Sequence, residues 1–215
     1  MKVSYTWLQE YFKEKLPPAQ ELAQLFTMYA FEVESVEKKD SDHIFDVKIL
    51  PNRAHDCLSH RGIAREIGTL LSLKLLAEQK EHSHTSYKSS SCVIETEKKE
   101  LSNRQSAAII RGVSVKKSPA WLAHRLEALG QKSINNIVDA TNYVMFSIGQ
   151  PIHAFDLAHI HQKDGIYRLV IRDSKEGEVL EVLGGQECTL PQGVILISDE
   201  NVGRDAILDI SGILG

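Results

Sequence analysis

Two rhythms of apolar and polar positions run along this chain, and the switches between them mark its elements. Near the start, Trp7, Leu8, Tyr11 and Phe12 recur at the spacing of one helix face, which predicts a helix over residues 4–14. Pro17-Pro18 breaks the chain and suits the start of a second amphipathic helix over 21–28. Phe31 to Val36 alternates with the period of a half-buried strand, and Lys38 to Asp42 is a polar turn. Ile44 to Leu50 reads as another strand, stopped by Pro51. Ser59 is placed to cap a helix from His60 to Leu73, whose Ile63, Ile67, Leu70 and Leu71 share one face. Together these pieces predict a small mixed α/β unit, residues 1–76.

Residues 78–90 are polar, serine-rich and nearly free of aliphatic side chains. That composition predicts a linker over 77–90, in which His82 and His84 read as solvent-exposed bystanders. Beyond it, Cys92 to Thr96 and Ala107 to Val115 read as strands. Pro119 to Leu129 reads as a helix with Trp121, Leu122, Leu126 and Leu129 on one stripe, closed by Gly130. A second helix, Ile134 to Ile148, is closed by Gly149. Short strands follow at 165–172, 179–183, 194–198 and 206–210, separated by turn residues. The expectation is an α+β protein. Its small N-terminal unit is followed by a larger module, residues 91–215, with helices packed on short, mostly antiparallel strands.

The chain has 215 residues, 42% hydrophobic and 25% charged, an ordinary globular make-up with room for one large domain or two small ones. No apolar run approaches the roughly 20 residues of a membrane-spanning helix, and the N-terminus lacks the apolar core and cleavage site of a signal peptide. Cys57, Cys92 and Cys188 are odd in number and lack C-x-x-C spacing, so free thiols in a reducing cytoplasm are expected. The net charge of −4 gives no support of its own to nucleic-acid binding, which usually shows as a basic face.

His55, Cys57 and His60 crowd around Asp56 and are ligand types of a zinc site. Zinc wants four ligands at regular spacing, and no second pair accompanies these, so no metal is expected. The alternative is a strand-to-helix turn in which Asn52, Asp56 or Ser59 caps the helix and Arg53 makes ion pairs. No P-loop, dinucleotide fingerprint, H-E-x-x-H or G-x-S-x-G pattern occurs.

Three stretches together resemble the beta subunit of bacterial phenylalanyl-tRNA synthetase. Leu50-Pro51-Asn52-Arg53-Ala54-His55-Asp56-Cys57, running on to Gly62-Ile63-Ala64-Arg65-Glu66, is similar to that family's Pro-Asn-Arg-Ala-Asp-Cys segment and the helix after it. The most specific stretch is Val138-Asp139-Ala140-Thr141-Asn142-Tyr143-Val144-Met145, continuing to Gly149-Gln150-Pro151-Ile152-His153-Ala154-Phe155-Asp156. Ser211-Gly212-Ile213-Leu214-Gly215 resembles an Ala-Gly-Val-Met-Gly loop. Trp7-Leu8 and Phe31-Glu32-Val33-Glu34 match the subunit's beginning, so the likeness covers nearly the whole chain in order.

The resemblance implies the subunit's N-terminal part with its editing module, whose pocket hydrolyses tyrosine wrongly joined to the phenylalanine tRNA. By resemblance Thr141, Asn142, His153 and Gly212 occupy pocket positions, with His153 the catalytic one. The residues are compatible with that assignment. Gly149-Gln150-Pro151 stops a helix and forces a turn that delivers His153, while Thr141 and Asn142 lie on the helix before it. A hydroxyl, an amide and an imidazole can order a water and hydrogen-bond an ester carbonyl without a covalent nucleophile. Gly212 would let the backbone approach the bound amino acid closely. Each residue also has a plainer reading: His153 as a structural histidine, Thr141 and Asn142 back-bonding in their helix, Asp139 and Asp156 fixing loops. Editing has a physical motive, since a site shaped for phenylalanine rejects an analogue with one added hydroxyl only about a hundredfold.

The resemblance further implies an alpha-subunit partner in a heterotetramer, tRNA as substrate, a cytoplasmic setting and no membrane contact. It implies ATP and magnesium for the whole enzyme, with no cofactor in this chain. Departures from the family's pattern also stand in the sequence. Val36 reaches Ile44 through a short polar turn, where beta subunits usually carry an oligonucleotide-fold insertion. Leu101-Ser102-Asn103-Arg104-Gln105 keeps only the arginine of Cys-Pro-Arg-Tyr, and Leu183-Gly184-Gly185 replaces Leu-Asp-Gly. By resemblance a glutamate that reads the tyrosine hydroxyl lies beyond Gly215, so a fragment or a shortened paralogue is expected, inactive alone in aminoacylation. Three functions follow: a segment of the ligase subunit, a free-standing editing hydrolase, or a non-catalytic RNA- or partner-binding module.

Overall fold

Ser4 ends the first strand and starts the first helix. Strand β1 is Lys2–Ser4, and the Ser4 hydroxyl accepts the Trp7 N–H at 3.1 Å to cap α1, Tyr5–Gln9. The structure, a computed structural model, describes residues 1–76, 91–182, 185–199 and 207–211. The expected linker at 77–90, with His82 and His84, and the loop at Gly212 lie outside the described residues. The helix expected over 4–14 is therefore a strand and a short helix. Val3 pairs with Phe45 in a sheet, and buried Phe12 leaves the helix to bridge Leu75.

Helix α2, Ala19–Tyr29, follows Pro18 and turns Leu22, Ala23 and Phe26 inward. Strands β2, Val33–Lys39, and β3, Asp42–Val47, form a hairpin. Asp40 takes the left-handed backbone (φ 52°) that a two-residue hairpin turn demands. The ladder thus runs through Lys38 and Lys39, which the sequence assigned to the turn. With β1 on the far side of β3 the sheet order is β1-β3-β2, antiparallel throughout. A 3-10 turn, Pro51–Arg53, and α3, Ala54–Cys57, lead to α4, His60–Leu71. As expected, Ser59 caps α4, its hydroxyl accepting the Gly62 N–H at 3.0 Å. Val3, Leu8, Leu22, Phe26, Phe45, Ile63 and Ile67 share one core.

Strand β4 is Cys92–Thr96. The strand expected at Ala107–Val115 is not formed; that stretch is irregular and almost wholly exposed. A strand needs a neighbouring ladder, and no described strand pairs with it. Helices α5, Ala120–Ala128, and α6, Asn136–Ile148, stand where the apolar periodicity puts them. Strands β5, Gln162–Lys163, β6, Ile166–Asp173, β7, Glu178–Val182, β8, Gln186–Leu190, β9, Ile195–Asp199, and β10, Ile207–Ile210, complete the order. One sheet runs β10-β9-β6-β4 with β5 against β6, and β7 and β8 make a separate hairpin. Among the described strands of these sheets only β4 and β6 pair in parallel. Leu180, Leu190, Leu196, Ile207 and Ile210 form a second, smaller core. The α+β class is observed.

Contacts divide the chain into two compact units, residues 1–82 with 114–154 and residues 83–113 with 155–215. This departs from the linear division at 1–76 and 91–215, because α5 and α6 carry side chains that pack with the N-terminal residues. Among the described residues no helix is long and apolar enough to cross a membrane.

The approach of α4 to α3 depends on a missing side chain. A Cβ at Gly62 would stand 2.0 Å from the Asp56 carbonyl oxygen and 2.8 Å from Cys57 Cα. Gly62→Ala is expected to destabilise the chain by about 3 kcal/mol in urea denaturation. A loss below about 0.5 kcal/mol would mean that the turn relaxes freely around a methyl group.

Candidate functional site

The stretch with the densest chemistry begins at Asn135, whose side chain accepts the Ile137 and Val138 N–H groups at 3.0 Å each and so caps α6. One turn on, the fully buried Asp139 accepts from the Ser118 hydroxyl at 2.5 Å, the Ser133 hydroxyl at 2.6 Å and the Ile134 N–H at 2.9 Å. Burial opposes its charge, but these donors outweigh it and hold the carboxyl below the usual carboxylate range. Its oxygens are committed to tying the loops before α5 and α6, so Asp139 is a fastener, as one of its two sequence readings had it. At the other end, Gly149 closes α6 in the left-handed conformation (φ 80°). A Cβ there would lie 3.3 Å from both the Leu58 carbonyl oxygen and the Ser59 side chain. The helix end therefore rests on the turn that starts α4.

Between these ends, α6 is fastened by aromatic and polar contacts that periodicity alone does not reveal. The Tyr143 ring stacks on Trp7 (4.9 Å between centroids, 4° between planes). Trp7 stacks in turn on the imidazole of His60 at 3.9 Å and 20°. Trp121 of α5 meets Tyr143 edge-on at 5.5 Å, and the Arg125 guanidinium lies 4.8 Å from the Trp7 ring centroid. Arg125 also pairs with Glu10. His60 has no exposed surface. Its Nε2 accepts the Ser4 N–H at 3.0 Å, and its Nδ1 lies 2.9 Å from the Phe146 carbonyl oxygen. An amide N–H can only donate and a carbonyl only accept, so the ring is the neutral tautomer that carries its proton on Nδ1. Burial pushes its pKa down to about 4; the Phe146 carbonyl opposes this and the Arg125 charge reinforces it. The signal in the sequence was a histidine directly after the Ser59 cap, which reads equally well as an exposed first-turn residue.

The four pocket residues assigned by resemblance fare differently. Thr141 and Asn142 are half-buried on α6. As neighbours on a helix they point about 100° apart. The Thr141 hydroxyl donates to the Val138 carbonyl at 2.7 Å, the back-bonded alternative. His153 is exposed in the irregular stretch after Pro151, and Gly212 lies outside the described residues. A groove of about 370 Å³ lies elsewhere, between α2 and β2, lined by Ala23, Thr27, Met28, Val33 and Val36 among others.

The zinc-like trio is not assembled. His55 is exposed, both ring nitrogens of His60 are engaged, and the Cys57 sulfur lies 3.1 Å from an Arg53 nitrogen. Burial raises the Cys57 thiol to about 11, and Arg53 only partly offsets that. Arg53 forms ion pairs with Asp56 at 2.8 Å and Glu66 at 2.9 Å, as the turn reading requires. Among the described residues no group of three or more His, Cys, Asp or Glu side chains is arranged to hold a metal.

Residues 101–215 match the B3/4 domain family. The chain is 37% identical over 216 residues to a Rhodopirellula baltica protein named phenylalanine–tRNA ligase beta subunit, covering 100% of this chain and 30% of that protein. Identity to the protein of the same name from Thermotoga maritima is 42% over 176 residues, 81% of this chain and 21% of the relative. A similar fold occurs in an N-terminal fragment of the phenylalanyl-tRNA synthetase beta subunit from Pyrococcus horikoshii, with a TM-score of 0.51 and 18% identity. That match covers 100% of this chain and 62% of the fragment. The chain spans less than a third of the length of these curated relatives.

The state of His60 makes stability depend on pH in a defined window. An unfolded imidazole takes its proton below about 6.5, whereas the folded one resists until about 4. Between those values the unfolded chain binds more protons. The stabilisation is therefore complete above about pH 6.5 and is lost as the pH falls towards 4, by about 3 kcal/mol in all. Urea denaturation between pH 7 and 4.5 is expected to show this slope in the wild type and a flatter one in His60→Gln. Equal slopes in the two proteins would contradict the assignment.

Proposed function

The chain belongs to the B3/4-domain family of phenylalanine–tRNA ligase beta subunits, and from that membership we propose that it is the segment which hydrolyses mischarged tyrosyl-tRNA for the enzyme. The reading is carried by one observation. Helix α6 is fastened at both ends, keeps Thr141 and Asn142 half-buried, and is followed past Gly149 by an exposed His153. In this reading His153 orients the attacking water and takes up its proton as the water oxygen bonds to the ester carbon. The bond to the tRNA 3′ oxygen then breaks, and that oxygen receives a proton. Asn142 can donate to the ester carbonyl. The Thr141 hydroxyl spends its one hydrogen bond as a donor on the Val138 carbonyl, so its oxygen is left to accept, which suits the substrate's ammonium group. The reading rests on Thr141, Asn142 and His153.

We place this segment in the cytoplasm with an alpha subunit and with tRNA, in an assembly that joins phenylalanine to tRNA. ATP and magnesium would serve that reaction outside this chain.

A second reading, a non-catalytic RNA- or partner-binding module, draws on the Thr141 back-bond, which gives that hydroxyl a purely local partner. One substitution separates the two. In the assembled enzyme His153→Ala is expected to slow tyrosyl-tRNA deacylation by about a hundredfold while phenylalanine activation stays within about twofold. An unchanged deacylation rate would favour the non-catalytic module.

A further inference from the structure

The last turn of a helix leaves carbonyls with no partner inside it, and most are left to water. In α6, Gly149 N–H takes the Met145 carbonyl. The next carbonyl, of Phe146, meets a buried imidazole instead, 2.9 Å from His60 Nδ1. The same ring is fixed on its other side by the Ser4 N–H and over its face by Trp7. His60 thus joins β1, α4 and the end of α6, with neither nitrogen free to exchange partners. The peptide after that end is seated too, since Gly149 rests on Leu58 and Ser59, the residues just before His60. The chain then passes through Pro151, whose φ is fixed, to His153.

We infer that His60 is a positioning residue for the hydrolysis: through its Nδ1–H bond to the Phe146 carbonyl it sets the end of α6, and with it the direction in which His153 is presented to the aminoacyl ester. This rests on the editing reading above. His60 itself touches no substrate, because its ring is wholly enclosed. It acts through backbone, at the point where a helix becomes the strap carrying the proposed base. Misplacing a catalytic group by about 1 Å can cost on the order of a hundredfold in rate, so one buried hydrogen bond at this position is enough to govern the chemistry.

Two substitutions separate positioning from mere packing. Both remove the ring and its stack on Trp7. His60→Asn places an amide N–H near the position of Nδ1 and can still donate to Phe146. His60→Gln places its amide near the position of Nε2, where it can serve Ser4 but leaves Phe146 without its donor. In the assembled enzyme His60→Gln is expected to lower kcat for tyrosyl-tRNA deacylation at least about tenfold with little change in KM, while His60→Asn stays within about threefold of wild type. Phenylalanine activation should be unaffected in both, and their melting temperatures should be similar. Equal deacylation by the two variants, or rates that simply follow their melting temperatures, would overturn the inference whatever His153 does. If His153→Ala deacylates normally while the two His60 variants still differ, the role given to His153 falls and the control of α6 by His60 stands. A wild-type enzyme that does not deacylate tyrosyl-tRNA would overturn both.

Discussion

A neutral, buried imidazole with two obligate partners is the constraint on which the N-terminal unit depends. His60 must accept from Ser4 and donate to Phe146, and an imidazolium could not do the first. Burial favours the neutral form more strongly than the Phe146 carbonyl favours the charged one. Leaving either backbone group without its partner inside the protein costs about 1–3 kcal/mol, and the stack with Trp7 adds about 0.5–1.5 kcal/mol. Those sums are a sizeable share of the roughly 5–15 kcal/mol that holds a domain together. The geometry is possible because two glycines stand at the close approaches. Gly62 admits the Asp56 carbonyl against α4, and Gly149 lets α6 end against the start of the same helix.

The arrangement separates fastening from chemistry along one helix. Asp139, Tyr143 and Phe146 recur at i, i+4 and i+7, one face of α6, and each is committed to a structural contact. Thr141 lies away from that face. In the N-terminal unit, therefore, the family-like segment is largely scaffold. The residues left for a substrate are those that the scaffold leaves uncovered.

Much of the fold was legible in the sequence, for local reasons. Ser59 as a cap, Gly149 as a helix end, the β2–β3 hairpin and the apolar stripes of α2 and α4 are all set within a few residues, where periodicity and capping chemistry act. On α5 the stripe holds for Leu122, Leu126 and Leu129, whereas Trp121 stands largely exposed. What was missed depends on distant partners. Val3 becomes a strand residue only because Phe45 lies beside it. Residues 107–115 have the composition of a strand, yet no described strand pairs with them. The grouping of α5 and α6 with the N-terminal residues rests on Trp7, His60 and Tyr143, which are far apart in sequence. The candidate site was legible only through resemblance. Spacing placed Thr141, Asn142 and His153 around a helix end, but it could not show that the Thr141 hydroxyl donates to the Val138 carbonyl. Nor could it show that His60 is wholly buried with both ring nitrogens engaged.

Nitrogen-15 NMR of the His60 ring tests this account most directly. A proton is expected on Nδ1 and none on Nε2, with both shifts nearly unchanged from neutral pH down to about pH 5. A protonated Nε2 at neutral pH, or an ordinary titration near pH 6.5, would contradict it.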